Sequence, residues 1–260
     1  MLTVLSPAKT FNSGGVPAGL PTTAPALTEE AEILLALCRK LNLARLRELM
    51  RVSDPLARLA FRRFRKMNLA EPPADAMPAG LAYGGDVFRT LDPASLSRED
   101  LVWTQDRFRI LSGLYGVLRP LDLIQPYRLE MRTRLETARG RDLYEFWGDR
   151  IAETLAEAAG RRTSGVLLNL SSVEFIRTLK PATRRLRVVT ARFEELRDGK
   201  PTTIGLFVKR ARGFMARFII EHRIETPEGL RDFGAEGYRF QPARSDPDFL
   251  VFLRPREWAA

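Results

Sequence analysis

The 260-residue chain has a single cysteine, Cys38, so no intrachain disulfide can form and a disulfide-stapled scaffold is excluded. It also has a single histidine, His222. Together these are too few for a zinc site built from Cys and His, and a Ser-His-Asp or Cys-His mechanism would have to run through that one imidazole. No stretch of about 18 apolar residues occurs, so no transmembrane helix is expected. The opening Met1–Phe11 lacks both the basic start and the long apolar core of a signal peptide. The expectation is a cytoplasmic protein without membrane contact. Lysine is scarce, since only 6 of the 42 basic residues are lysines. Arginine bias of that kind follows genome composition, so the excess charge says more than the choice of arginine. Internal repeats and low-complexity segments are absent.

What is present is a globular composition, 45% hydrophobic and 28% charged, with a net charge of +10. The excess points to an anionic partner. It is also clustered. Residues 39–66 hold ten cations and two acids, and residues 177–223 hold thirteen cations and four acids. Two such blocks suit either a directed electrostatic surface or two solvated faces.

Hydrophobic periodicity outlines the elements. Leu2–Ser6 and Gly165–Leu170 read as buried strands, and Phe11–Pro25 as a loop. Helices are predicted from Thr28, over Ala44–Met50 and Pro55–Met67, over Ser97–Leu111, over Asp142–Ala159 and over Lys209–Ile224. Leu186–Leu196 and Thr202–Val208 flank Asp198-Gly199 as a hairpin. Tyr238–Gln241 and Phe249–Leu253 read as final strands. The pattern predicts one α+β domain over 1–260, a mixed sheet flanked by helices.

Several segments carry chemistry. Leu46, Leu49, Val52 and Ala57 fall in register on the pattern of a helix-hairpin-helix element at about 44–67, with Arg51 and Ser53 where two glycines are usual. Such a hairpin presents the second helix's N-terminal amides to a phosphate. Without glycine, the turn is expected to use ordinary backbone angles. Arg58, Arg62 and Lys66 would share one face of the second helix, and a plain αα-hairpin fits equally. In the helix from Lys209, Ala211, Phe214, Met215, Phe218 and His222 form an apolar stripe, and His222 reads as a core residue. Lys209, Arg210, Arg212 and Arg217 lie on or beside the other face with Gly213 and Ala216, small residues that would admit a phosphate backbone or a packed helix. Gly113 and Gly116 mark a sharp turn that, after Arg107 and Arg109, would be a weak phosphate motif. Tyr127–Arg132 alternates like a strand, with Arg128, Glu130 and Arg132 on one face, which suits a cleft wall or a surface strand. Lys9 follows the first strand in a Ser-Pro loop. Asp86, Glu130, Asp142 and Asp149 are the candidate acids, without metal-ligand spacing. No metal or cofactor is expected.

Five motifs stand together: SPAKT from Ser6, GGDVF from Gly84, LSGLYGVLRPLDLIQPYRLEM from Leu111, GRDLYEFWGD from Gly140 and KRARGFMARFIIEHRI from Lys209. In them the chain resembles the YaaA peroxide stress protein family from Met1 to about Leu253. The resemblance implies a mixed α/β domain, a role in the bacterial peroxide response and the limiting of damage from free iron. It also implies DNA binding through a helix-hairpin-helix element and a basic cleft. The expectation is therefore a monomer that grips double-stranded DNA, plain, bulged or otherwise distorted. The residues expected to do so are Arg51, Ser53, Arg58, Arg62, Lys66, Arg128, Lys209, Arg210, Arg212 and Arg217, with residues 51–66 and 209–217 lining one groove. The alternative is an enzyme acting on a nucleic acid or nucleotide, with Lys9, Glu130 and Asp149 as catalytic candidates.

Overall fold

The computed structural model describes residues 1–161, 164–179 and 186–255. Lys180, Arg184 and Arg185 of the second basic block lie outside them. The chain opens with β1 (Leu2–Leu5), buried at every residue. An irregular stretch leads to α1 (Thr28–Lys40), α2 (Leu43–Met50) and α3 (Asp54–Lys66). Short pieces follow as β2 (Met77–Pro78), α4 (Ala79–Ala82) and α5 (Asp86–Leu91). Next come α6 (Arg98–Arg107), β3 (Phe108–Ser112), β4 (Gly116–Leu118) and β5 (Leu123–Ile124). Then α7 (Leu143–Trp147) and α8 (Arg150–Gly160) precede β6 (Val166–Leu170) and α9 (Val173–Leu179). The described chain closes with β7 (Arg187–Arg197), β8 (Lys200–Thr202), α10 (Gly205–Glu221), β9 (Arg239–Phe240) and β10 (Phe249–Pro255).

The main sheet runs in the order β4-β3-β1-β6-β7-β10-β9, with β8 paired to β7. β3, β1, β6, β7 and β10 are parallel, while β4, β8 and β9 join antiparallel. β1, β3 and β6 are buried at every position, as parallel strands covered on both faces require. The result is a single α+β domain with a mixed sheet. Among the described residues no helix is long and apolar enough to cross a membrane.

Several expectations need correcting. The helix expected over Ser97–Leu111 ends at Arg107, and Phe108–Ser112 is a strand. Its capping box is present, with Ser97 accepting from the Asp100 amide and Asp100 accepting from the Ser97 amide. Pairing with β1 from Phe108 onward overrides the helical pattern, a non-local effect that local propensity does not register. The helix expected over Asp142–Ala159 is two helices, parted where Gly148 takes φ 50°. Asp198 and Gly199 both adopt positive φ, as a tight hairpin demands, but the second strand covers only Lys200–Thr202. Residues 205–208 belong to α10. Among the described residues, Tyr127–Arg132 pairs with no strand. His222 is exposed just past the end of α10, its ring 4.5 Å from that of Phe218, and is not a core residue.

Two loads hold the far side of the sheet together. Arg254 and Glu195 pair at 2.9 Å, each side chain only 1% exposed. Arg254 also meets Glu236 and lies over the rings of Phe207 and Tyr238. On α5, Gly213 of α10 packs so closely that a Cβ would strike the Val87 carbonyl and the Thr90 hydroxyl. That hydroxyl donates to the Arg210 carbonyl at 2.8 Å. The small residues of α10 therefore serve helix packing, and Ala216 and Ile220 are buried with Gly213.

Candidate functional site

The carboxyl ends of β1, β3 and β6 converge on one region. Past β1, Ser6 accepts a hydrogen bond from the amide of Ser172, just past β6, at 2.7 Å. The loop that follows is pinned to the Gly84-Gly85 turn. Thr10 bonds Gly84 through both hydroxyl and backbone carbonyl, and a Cβ on Gly85 would press on Ala8. Past β3, a Cβ on Gly113 would strike the Leu129 carbonyl, so glycine is what lets the 127–135 segment lie against the strand end. Trp147 donates to the Gly113 carbonyl at 3.0 Å.

Segment 127–135 has no ladder, yet its burial alternates. Tyr127, Leu129, Met131, Thr133 and Leu135 are buried, while Arg128, Glu130, Arg132 and Arg134 point outward. The Tyr127 hydroxyl anchors the start, 2.8 Å from that of Tyr83 and 2.6 Å from that of Ser112. Burial pushes the Tyr127 hydroxyl up to about 12, so it stays neutral. Farther along, the Arg132 amide donates to Glu174 at 3.3 Å.

The outward side chains form one wall of a cleft of about 540 Å³, with Lys9 beside them and the end of α2 opposite. Lys9, Arg45, Arg51, Arg128, Arg132 and Arg134 face two carboxylates, Glu48 and Glu130. Glu130 is the hub, 2.8 Å from Lys9, 3.2 Å from Arg128 and 3.1 Å from Arg132. Burial raises its pKa, but the bond and charge of Lys9, with Arg132 and Arg128, outweigh this and hold the carboxyl below its ordinary value. One carboxylate thus orders three cations and neutralises one charge. Arg128 keeps a buried Nε with no hydrogen-bond partner among the described residues.

Across the cleft, Arg51 sits in the left-handed region at φ 49°, ψ 55°. The turn was expected to use ordinary angles, and it does not. The Arg51 and Val52 amides close onto the Glu48 and Arg47 carbonyls, the pairing of a Schellman turn. Glycine normally holds that place, and a side chain there costs about 1–2 kcal/mol. Ser53 caps α3 by backbone position only, without a side-chain hydrogen bond. Arg58 pairs with Asp54 at 2.7 Å. Arg62 and Lys66 are exposed on α3 without an ion pair among the described residues.

The remaining expected residues lie elsewhere. Lys209 is exposed near the start of α10, and Arg210 lies 3.3 Å from Glu236. Arg217 reaches Glu221 at 2.6 Å and the Leu91 and Asp92 carbonyls. Burial draws the Arg212 guanidinium down to about 10, still charged at neutral pH, and its Nε has no partner among the described residues. None of the four lines the cleft that holds Arg51. Among the catalytic candidates Lys9 and Glu130 meet, but Asp149 precedes α8, exposed and outside the cleft. Asp86 pairs with Arg89, and Asp142 caps α7. The 113–115 turn is buried, Arg109 is spent on the Gln105 and Phe108 carbonyls, and Arg107 on Glu225, so no phosphate cradle forms there. Arg45 and Arg134 were not anticipated. Arg134 continues the alternation of Arg128, Glu130 and Arg132, a signal already in the sequence. Among the described residues, no group of three or more His, Cys, Asp or Glu side chains could hold a metal ion.

The family model described as peroxide stress protein YaaA matches residues 1–244. UPF0246 proteins of Burkholderia mallei strain SAVP1 and Burkholderia pseudomallei strain K96243 are each 46% identical over 256 residues, covering 98% of this chain and 98% of theirs. That of Burkholderia thailandensis is 47% identical with the same coverage. The match runs through β1, the αα-hairpin and the 127–135 segment alike, and the chain belongs to the peroxide stress protein YaaA family.

Proposed function

We propose that this member of the peroxide stress family is a cytoplasmic DNA-binding monomer. It grips backbone phosphates of duplex or distorted DNA through the cleft and the adjoining αα-hairpin, and so limits iron-linked oxidative damage. The observation that carries the reading is the cleft's six cations against two carboxylates. Arg51 joins the cleft to α3, where Arg58, Arg62 and Lys66 extend the basic surface. Phosphate contacts of this kind position a protein without reading bases. Lys209, Arg210, Arg212 and Arg217 do not line the cleft, and the reading does not depend on them. Glu130, held as a carboxylate by its cations, acts as an ordering group and not as a proton donor. The test is fluorescence anisotropy with a labelled duplex of about 20 base pairs over a salt series. Log K should fall with log salt at a slope of about −0.9 per phosphate neutralised. A salt-independent affinity, or none at low salt, overturns the reading.

A further inference from the structure

We propose that the inner end of the cleft, around Lys9, Arg128 and Arg132, is a binding site for a single nucleotide unit held by a phosphate monoester. The proposal takes from the reading above only that this cleft meets phosphate.

Topology is the first support. From β1 the chain moves to β3 on one side, then returns to β6 on the other. Where connections part in this way, an open parallel sheet has a crevice outside the carboxyl ends of its strands, and ligands settle there. Lys9 lies just past the end of β1, and the 127–135 segment lies against the end of β3.

Size is the second. The cleft holds about 540 Å³. That is within the usual range for small-ligand sites, about 300–1,000 Å³. A duplex can lay its phosphates along the mouth of the cleft without entering it, whereas one nucleotide fits inside.

Charge is the third. Lys9, Arg128 and Arg132 share Glu130, which leaves two positive charges in excess. A phosphate monoester carries a charge of about −1.5 to −2 at neutral pH, whereas a backbone diester carries about −1. The excess matches the monoester. The cations are already ordered by Glu130, so little side-chain freedom is lost on binding. Arg128, with its Nε buried and unbonded among the described residues, supplies a donor that the protein does not use.

The lining chemistry limits selectivity. Leu49 and Met50 provide an apolar wall, and the described residues around the cleft include no aromatic ring. Sugar and base therefore gain contact area without a stacking platform or a base-reading edge. The ligand class is a nucleoside monophosphate of any base. It could come free, or as the phosphorylated end of a broken strand.

Isothermal titration of the full chain tests this with nucleoside monophosphates, nucleosides and inorganic phosphate as probes. Monophosphates of different bases should bind within about threefold of one another. They should bind at least about tenfold tighter than the nucleosides and than inorganic phosphate. Lys9→Ala should weaken monophosphate binding about tenfold or more, and Arg128→Lys likewise, while Arg161→Ala, at an exposed arginine outside the cleft, should leave it unchanged. Arg128→Lys retains the charge and the packing, which protects the fold. A nicked duplex with a 5′-phosphate, compared with its 5′-hydroxyl twin, identifies the source. Preference for the phosphate points to a strand end and equality to the free nucleotide, and either sustains the site. Binding of inorganic phosphate as tightly as the monophosphates overturns the proposal. So does monophosphate binding that Lys9→Ala leaves intact. Absence of monophosphate binding beside salt-dependent duplex binding overturns this proposal and leaves the DNA reading standing.

Discussion

Set beside each other, α3 and α10 both carry basic residues at helical spacing, and their side chains end in different places. On α3, Arg62 and Lys66 are exposed and unpaired among the described residues. On α10, Arg210 is held by Glu236 and Arg217 by Glu221 and two carbonyls, Arg212 is half-buried with its Nε in the interior, and Lys209 near the helix start stays exposed. Cation density in a sequence is therefore a poor guide to a binding surface. What decides is whether each charge has been answered inside the fold. The cleft is an intermediate case, where one carboxylate answers three cations in part.

This contrast can be broken, beginning with the largest expected effect. Arg254→Ala should destabilise the protein by about 3 kcal/mol in chemical denaturation, because it removes one of the two arginines that hold the buried Glu195 carboxylate and leaves Arg197 as its partner. Little loss would mean that the far side of the sheet is not the structural half of the molecule. Gly213→Ala should cost about 2–3 kcal/mol, since backbone and hydroxyl on α5 leave no room for a Cβ. DNA affinity of the folded variant should be unchanged.

The charge reversals Arg62→Glu and Arg217→Glu sharpen the comparison directly. The first should weaken duplex binding about tenfold and flatten the salt slope by about one or more, with stability kept. The second should cost stability and leave affinity alone. Equal effects on binding would erase the distinction drawn here.

Arg51→Gly should stabilise the protein by about 1 kcal/mol while weakening duplex binding, because glycine suits φ 49° and carries no charge. Stability and binding moving together would show that the residue sits there for packing. The smallest effect is in pH. Glu130 titrates below its ordinary value of 4.5, so its contribution is complete above that pH and is lost as pH falls through the lowered folded value. The stability gap between the protein and Glu130→Gln should be open at neutral pH and close in acid.

The parts legible in the sequence are those governed by local chemistry. β1, α1 and β6 follow from continuous or periodic apolar runs, and the turn at Asp198-Gly199 from its two residues. β3 was hidden because its helix-compatible residues become a strand only by pairing with β1, which is about a hundred residues away in the chain. α10 begins four residues earlier than its basic motif suggests, and takes the place of an expected strand. Lys9, Arg51, Arg128 and Glu130 were each visible as candidates. Lys9 and Glu130 were already grouped as one candidate site, but the place of Arg51 opposite them was not visible, because only the tertiary fold brings the αα-hairpin up to the carboxyl ends of the strands. The turn at Arg51 misled for another reason. Residue type predicts allowed angles, but the Schellman closure imposes a left-handed one regardless.

The alternating burial of 127–135 has a consequence for motion. A wall whose every second side chain is in the core cannot move as a surface loop does. Its opening requires Tyr127, Leu129 and Met131 to leave the interior, which is close to unfolding the domain. Deuterium uptake along this segment should therefore follow global unfolding rather than local fraying, despite the missing ladder. The cleft would then meet its ligand as a fixed mould, and affinity would be set by the ligand's own adjustment to it.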